Sequence, residues 1–429
     1  MKSLSLLSLT LLPSAILAAS NSYCQKQFAR NEQNCAKFDF SHVTPDSQQC
    51  GSDGTPTSNT TYNGPKQTNC TTFYDIGHLP EQTISNSAAR MAQLITNVFE
   101  NGDTKMGYAY VENLGDCRGY TSGYIGFTTG TNDAYAVVQA YTKRIHGTPN
   151  PFQPFLGELA KLSNYTFGDP HRADVTHLKG FPAAWKDAAC QNPMFVQTQL
   201  DVGHSMYLQP ALRYAASVGV TSNLGKAIFY DTIVQHGWQY VEPLINLPRI
   251  MQLTGPRKNG ESEKAYLTRF LTTRRQLVCC YPGDTWNESS DRMSDLQNLV
   301  DKWSANQDLK NKVVLKAFGA TVTGKENMNY DTGNCKGYTP FASLPTSIPL
   351  PIPQCTASAP TPSSSSRPNH SKNHRPHHKQ HAGHGQHAGH ANHGHASHGH
   401  SGHGHHKGHL QHPDRGQHRY ARQGQSQSS

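Results

Sequence analysis

Four closely spaced glycines follow a stretch of alternating apolar and polar residues, and this pattern limits the folds open to the chain. The alternation covers residues 107–114 and is typical of a short β-strand. The glycines at 115, 119, 123 and 126 are typical of tight hairpin turns. We therefore predict a small antiparallel sheet over residues 107–127.

Helical patterns surround this predicted sheet. Before it, Ser85 or Ser87 can cap the start of a helix, and Asn101-Gly102 supplies its stop. The apolar residues of this helix share one face: Met91, Leu94, Ile95, Val98 and Phe99. A second helix is predicted to begin at Asp133, and others are predicted over residues 222–236, 261–278 and 291–316. Helices around one small sheet predict an α+β fold.

The first residues are typical of a secretory signal peptide. Residues 1–19 contain one Lys, an apolar run from Leu4 to Ile16 and small residues at the end. The run is too short to span a membrane, and no later segment has eighteen uninterrupted apolar residues. We therefore expect a secreted, extracellular protein that does not bind a membrane.

The ten cysteines agree with an oxidising compartment. An even number in a secreted chain favours disulfides, whose pairing the sequence does not specify. Cys117 directly follows Asp116, where a disulfide would fix the turn and a free thiol would be open to oxidation. Cys279 and Cys280 are adjacent, and each is expected to bond elsewhere. Five sequons permit N-glycosylation: Asn59, Asn69, Asn164, Asn287 and Asn369.

Composition and charge divide the chain into regions. The formal net charge is +9, but the residues from Thr356 onward hold eight Lys and Arg against one acid, which is +7, and Lys2 belongs to the predicted signal peptide. The body therefore carries about +1. This argues against a nucleic-acid partner.

The tail also has 18 of the 25 histidines, a composition that cannot bury a core and that can bind metal ions or polyanions. The predicted regions are a signal peptide (1–19), a polar segment with four cysteines that depends on disulfides for order (20–75), a globular body (76–340), a Pro/Ser linker (341–366) and a disordered His-rich basic tail (367–429).

Two acids near the predicted sheet are candidates for chemistry. Glu100 lies at the end of the first helix, and Asp116 lies in the first Gly-rich turn. One carboxyl group that donates a proton and one that activates water are the minimal equipment for glycosidic bond hydrolysis. The helix end and the neighbouring Phe99 both disfavour negative charge on Glu100, as a general acid requires. Taken alone, the pattern equally fits an ordinary helix-end acid and a turn aspartate.

Several strings, in one order over roughly residues 85–325, resemble the chitosanases of glycoside hydrolase family 46. Residues 115–127 (GDCRGYTSGYIGF) resemble the family's G-D-x-R-G-Y-T-x-G-x-I-G-F, and residues 130–133 resemble the G-T-x-D that follows. Residues 229–237 (FYDTIVQHG) and 266–274 (YLTRFLTTR) resemble Y-Y-D-x-I-V-x-H-G and Y-L-x-x-F-L-x-x-R. The resemblance implies a mainly helical, two-lobed, lysozyme-like α+β fold with a small antiparallel sheet and a cleft between the lobes.

The resemblance also implies roles for single residues. Glu100 is the expected general acid, Asp116 the expected general base, and Thr121 the residue that helps to orient the attacking water. Asp133 matches the family's substrate-recognition aspartate, although it also lies where a helix N-cap is expected. Simple β-propensity is the alternative for Thr121.

Further matches lie around these residues. Tyr110, Glu112 and Arg118 match residues of the substrate cleft, although a tyrosine in a strand is more often a packing residue. Asp231, Arg274 and Arg292 match a charge network that supports the catalytic pair from behind. The Arg292 match is the least direct of these, because the chain carries a few extra residues around 279–287.

The expected activity is endo-hydrolysis of the β-1,4 links between glucosamine residues in chitosan by a monomer, with inversion and without a cofactor. One alternative is a chitinase or lysozyme-type hydrolase, against which an acidic Asp133 argues because an acetamido group carries no charge. The other is a surface protein that binds metal ions or polyanions through its His-rich tail. The sequence does not rank these tail functions against an inert spacer.

Overall fold

The computed structural model describes most of the predicted body. The described residues are 24, 35–40, 75–145, 149–165, 169–239, 244–282, 286 and 289–353. The predicted signal peptide, most of the segment 20–75 and the whole His-rich tail lie outside them. None of the helices in the described ranges is long and apolar enough to cross a membrane.

The helix that carries Glu100 forms as its caps predict. Helix α1 spans Asn86–Asn101; the Ser85 hydroxyl accepts a hydrogen bond from Ala88 N at its start, and Gly102 with φ of 80° ends it. Its apolar face is buried, and α1 packs against helix α7, which spans Asn223–His236. Glu100 is therefore held against the centre of the body.

Three short antiparallel strands follow α1 and confirm the predicted sheet: β1 Val111–Asn113, β2 Tyr120–Ser122 and β3 Phe127–Thr128. The four turn glycines at 115, 119, 123 and 126 all have positive φ, which other residues rarely adopt. Strand β1 is shorter than the predicted stretch 107–114. Residues 108 and 109 bond instead to side chains, because Trp185 Nε1 donates to Tyr108 O and Asp331 accepts from Ala109 N.

The rest of the described body is mainly helical, so the α+β prediction is confirmed. The other α-helices are α2 Asp133–Arg144, α3 Leu156–Asn164, α4 Phe181–Gln191, α5 Pro193–Gly203, α6 Gln209–Ser217, α8 Leu247–Thr254, α9 Glu263–Cys280, α10 Ser290–Asp301 and α11 Trp303–Asn306. Short 3₁₀ helices span Ala36–Phe38, Thr129–Thr131, Gln153–Phe155 and Pro170–Ala173. Helices α7 and α9 match the predicted ranges to within two residues.

The helix predicted over 291–316 is too long. Helix α10 ends at Asp301, and after the short α11 the chain forms strand β4, Val313–Leu315, which pairs with β5, Ala320–Val322. Val313 and Leu315 are buried whereas Val314 is 48% exposed, which is the alternation of a strand.

Disulfides join the polar N-terminal segment to the body. Cys24 bonds to Cys279 and Cys35 bonds to Cys280, so the adjacent cysteines at the end of α9 each hold a distant residue. A third disulfide, Cys190–Cys335, fixes the segment after β5 to α4. These pairings place the described part of the N-terminal segment beside the C-terminal end of α9.

The beginning of the predicted linker packs against the body. Ser347 Oγ donates to Asp201 Oδ1 at 2.6 Å, and Ile348 N donates to Asp201 Oδ2 at 3.1 Å. The same carboxylate forms a buried ion pair with Arg144 at 2.8 Å. Residues 347 and 348 are therefore held by the body although they contain no regular secondary structure.

Candidate active site

Glu100 is joined to both a distant arginine and the sheet. Its partly buried carboxylate accepts a hydrogen bond from Arg292 Nη2 at 2.6 Å, in the first turn of α10. The next residue, Asn101, donates from Nδ2 to Tyr124 O at 2.9 Å, which ties the helix end to the β2–β3 turn. The expectation of a protonated Glu100 took no account of this contact with Arg292 and stays a prediction.

A buried charge network lies behind Glu100. Arg274 Nη1 lies 2.8 Å from Asp231 Oδ2 and donates to Thr232 Oγ1 at 2.9 Å. Arg292 Nη2 lies 3.2 Å from Asp231 Oδ1. Burial lowers the pKa of Arg274 to about 10, so it remains charged at neutral pH. The structure thus brings together Asp231, Arg274 and Arg292 and links them to Glu100.

Asp116 lies in the tight turn between β1 and β2. Its Oδ1 accepts a hydrogen bond from Arg118 N at 3.2 Å, and Gly130 N donates to Arg118 O at 2.8 Å. Cys117, between them, has φ of 62° and is disulfide-bonded, which removes the free-thiol alternative. The turn is fixed by these contacts, and the aspartate makes the local backbone bond that is common in turns. Its role as general base stays a prediction.

Thr121 lies in the central strand of the sheet. It pairs with Glu112 on β1 and with Thr128 on β3. Its side chain is buried, and its Oγ1 has no hydrogen-bond partner among the described residues. A buried hydroxyl without a partner costs about 1–3 kcal/mol, so a water or a substrate group there would be favourable.

Asp133 is occupied within the protein and is only 4% exposed. Its Oδ1 accepts hydrogen bonds from Thr128 N at 2.7 Å and Thr131 Oγ1 at 3.0 Å, and its Oδ2 accepts one from Tyr207 OH at 2.5 Å. Burial raises the pKa of the Asp133 carboxyl, and these hydrogen bonds oppose that rise. The N-cap of α2 is Asn132, so the N-cap prediction is wrong by one residue. In this structure the carboxylate organises the β3–α2 loop through these hydrogen bonds, and its contact with substrate stays a prediction.

Comparison with known proteins identifies the family. Residues 94–311, half of the chain, match the model of glycosyl hydrolase family 46. The protein belongs to glycosyl hydrolase family 46. It is therefore a glycoside hydrolase, and the family assignment made from the sequence strings is confirmed.

Several known proteins are similar to this chain. The chitosanase of Bacillus subtilis (strain 168) is 35% identical over 225 residues, which cover 51% of this chain and 78% of that protein. The chitosanase of Streptomyces sp. (strain N174) is 31% identical over 225 residues, or 51% of this chain and 74% of that protein. The solved Gynuella sunshinyii family 46 chitosanase, in complex with chitotetraose, is 30% identical with a TM-score of 0.50 and covers 56% of this chain and 98% of that one. This last likeness confirms the lysozyme-like α+β fold.

The remaining predicted cleft residues of this family 46 hydrolase lie just before β1, on it and in the turn after it. Tyr110 OH donates to Glu112 Oε2 at 3.0 Å, and Glu112 is exposed. The guanidinium carbon of Arg118 lies 5.4 Å from the ring centroid of Trp286. An exposed carboxylate on the sheet is suited to an ammonium group, because opposite charges attract.

Three residues beside the predicted site residues were not singled out from the sequence. Tyr207, which bonds Asp133, lies in a π-helix, His204–Leu208, a rare conformation that is frequent at functional sites. Trp286 contacts Arg118. His236 is buried with its ring 4.8 Å from that of Trp286. Only His236 lies inside a recognised string, 229–237; the other two carry no sequence signal.

The part of the protein that the structure describes contains no evident metal-binding site. No group of three or more His, Cys, Asp or Glu side chains there is arranged to hold a metal ion.

Proposed function

We propose that this family 46 hydrolase is an endo-chitosanase that cleaves the β-1,4 links between glucosamine residues. The observation that carries the proposal is the placement of Glu100. This acid contacts the buried Asp231–Arg274–Arg292 network at a helix end that is joined to the sheet bearing Asp116 and Thr121. The chitosanases to which the chain is similar support the substrate class.

The proposed reaction is a single displacement. Glu100 protonates the leaving glycosidic oxygen, and Asp116 takes a proton from a water that attacks the anomeric carbon from the opposite side. The Thr121 hydroxyl, which has no hydrogen-bond partner in the part of the chain that the structure describes, is suited to orient that water. This inverting course requires the two carboxyl groups to be roughly 6.5–9.5 Å apart in the reacting complex.

Arg292 lies between two carboxylates, and this position suits it to a step in which Glu100 changes charge. Glu100 is protonated when it begins to act and ionised once it has donated its proton. Arg292 is 2.6 Å from Glu100 Oε1 and stabilises the charge that develops there. While Glu100 is neutral, Asp231 still balances the charge of Arg292.

Substrate preference is proposed to come from exposed acids. Glu112 has the exposed carboxylate on the sheet, so it is our candidate partner for a glucosamine ammonium group. The argument against an N-acetylated substrate therefore no longer rests on Asp133, whose oxygens are used internally. A chitinase or lysozyme-type activity remains the alternative. No contact described above favours an N-acetylated sugar over glucosamine.

We propose a secreted location and no role for the tail in hydrolysis. The full-length protein and a chain that lacks residues 357–429 are both expected to lower the viscosity of soluble chitosan rapidly. Glycol chitin should lose viscosity far more slowly with either protein. Preferential loss of glycol chitin viscosity would instead support the alternative substrate, and loss of activity on truncation would contradict the division of roles.

The oligomeric state of the protein and the ligands of its tail are also part of this proposal. The protein acts as a monomer on chitosan without nucleic acid or membrane, and its His-rich tail binds anionic polymers when protonated or metal ions when neutral. Retention of the full-length protein, but not the truncated one, on a polyanion at about pH 5 is the expected sign, since histidines charge below about pH 6.5. Equal retention of both would contradict it.

A further inference from the structure

Trp286, between α9 and α10, contacts the β1–β2 turn that carries Asp116, which we call the catalytic turn. Trp286 is only 7% exposed, and the guanidinium carbon of Arg118 lies 5.4 Å from its ring centroid. A guanidinium over an aromatic face is attracted to it, most strongly when the ring is tryptophan. Arg118 is two residues from Asp116, and its backbone N–H is bonded to that carboxylate. The contact therefore fixes the turn that carries the proposed base.

Other groups hold Trp286 in place. Its carbonyl oxygen accepts hydrogen bonds from Ser289 N at 3.1 Å and Ser289 Oγ at 2.6 Å. The ring of buried His236 lies 4.8 Å away, and neither of its nitrogens has a hydrogen-bond partner among the described residues. Burial, together with the positive charges of Arg274, Arg292 and Arg118, holds the pKa of His236 well below its usual range. A neutral imidazole packs beside Trp286 without repelling Arg118.

The disulfide-bonded N-terminal segment reaches the same ring through one intermediate. The ring of Tyr281 lies 6.3 Å from that of Trp286 and 4.9 Å from that of Phe40. Phe40 is placed there by the Cys35–Cys280 disulfide at the end of α9. Lys37 adds a hydrogen bond to Gln276 on the same helix at 3.2 Å. The row Phe40, Tyr281, Trp286 and Arg118 thus runs from the N-terminal segment to the catalytic turn.

We propose that Trp286 is a positioning residue that acts through Arg118, and that the segment 35–40 supports it by packing on Tyr281. Trp286 lies outside the strings that resemble the family, in the region around 279–287 where the chain is expected to carry a few extra residues. The proposal rests on the proposed function to the extent that Arg118 contacts the substrate. It gives the Cys-containing N-terminal segment a role in the site.

The kinetic test compares Trp286→Leu with Trp286→Phe in the full chain. Leucine keeps an apolar group but removes the aromatic face, so KM for a chitosan oligomer should rise about 10-fold, whereas phenylalanine should stay within about 3-fold of the wild type. The matched control, Trp303→Leu on α11, should leave KM unchanged. Phe40→Ala should raise KM in the same direction and by less. An unchanged KM in Trp286→Leu, whatever its kcat, would overturn the proposal that Trp286 acts through Arg118.

Coupling to Arg118 is tested by a double-mutant cycle. In an Arg118→Met background, Trp286→Leu should change KM little further, because the group through which it acts is already gone. Additive effects of the two changes would overturn the proposal that Trp286 acts through Arg118.

A measurement without substrate separates this proposal from the assigned activity. Hydrogen exchange of the peptide covering residues 115–120 should become faster in Trp286→Leu and stay unchanged in Trp303→Leu. That result would stand even if the wild type failed to hydrolyse chitosan, which would count against the proposed function alone. Unchanged exchange in Trp286→Leu would overturn the positioning role.

Discussion

Replacement of Glu100 by Gln is expected to lower kcat on chitosan by at least about 100-fold, since general acid catalysis contributes typically that much or more. The amide keeps the shape of the side chain but has no acidic proton to give to the leaving oxygen. Asp116→Asn is expected to have an effect of the same order, because an amide cannot take a proton from water. Initial rates at saturating chitosan, measured on protein with a wild-type circular dichroism spectrum, check both.

A surface acid supplies the control for these variants. Glu158 forms an i,i+3 ion pair with Lys161 on α3 at 3.0 Å, and pairs of this kind contribute little to stability. Glu158→Gln should therefore leave kcat unchanged. If either Glu100→Gln or Asp116→Asn keeps more than about a tenth of the wild-type kcat, the role assigned to that carboxylate is wrong.

Asp231→Asn is expected to damage both stability and turnover. Asp231 is fully buried and lies 2.8 Å from Arg274 Nη1 and 3.2 Å from Arg292 Nη2. Removing the carboxylate leaves two buried guanidinium groups without it, which costs about 3–5 kcal/mol of unfolding free energy by analogy with other broken buried ion pairs. Arg292 would also lose the anion that fixes it beside Glu100, so kcat per folded molecule should fall. Urea unfolding gives the stability, and kcat divided by the folded fraction that it predicts gives the turnover per folded molecule, so the two effects are separated.

A second buried ion pair offers a matched control for the network. Asp201 lies 2.8 Å from Arg144, and both side chains are almost fully buried, but the pair holds the segment around Ile348 rather than Glu100. Asp201→Asn should lower the unfolding free energy by a comparable amount and leave kcat per folded molecule unchanged. Equal losses of kcat in the two variants would show that the Asp231 network contributes to folding alone.

Helix α1 and the hairpin turns beside the site could be predicted because residues close in the chain determine them. Helix α1 has a serine cap, one apolar face and a glycine stop within sixteen residues, so neighbours in the chain determine both ends. The hairpin turns follow from glycines that adopt positive φ. The 291–316 stretch was mistaken for one helix because strand β4 has three residues, which are too few for an alternating pattern to stand out from a helical one.

Contacts between distant residues account for what the sequence did not provide. Arg292 is 192 positions from Glu100, and only the fold shows that the two side chains meet. Tyr207 reaches Asp133 from a π-helix, so the burial of that carboxylate had no local signal. The family resemblance identified Asp231, Arg274 and, least directly, Arg292 as a group. Trp286 lies outside any string and was found only from its contact with Arg118.

Proton NMR of a glucosamine oligomer during its first minutes of hydrolysis tests the central claim most directly. A single displacement at a β-link, with Glu100 as acid and Asp116 as base, releases the α-anomer first, and the β-anomer then grows by mutarotation. We expect this order with the full-length protein. Early accumulation of the β-anomer would contradict the inverting two-carboxylate mechanism, and absence of any reducing-end signal would contradict the assignment as a chitosanase.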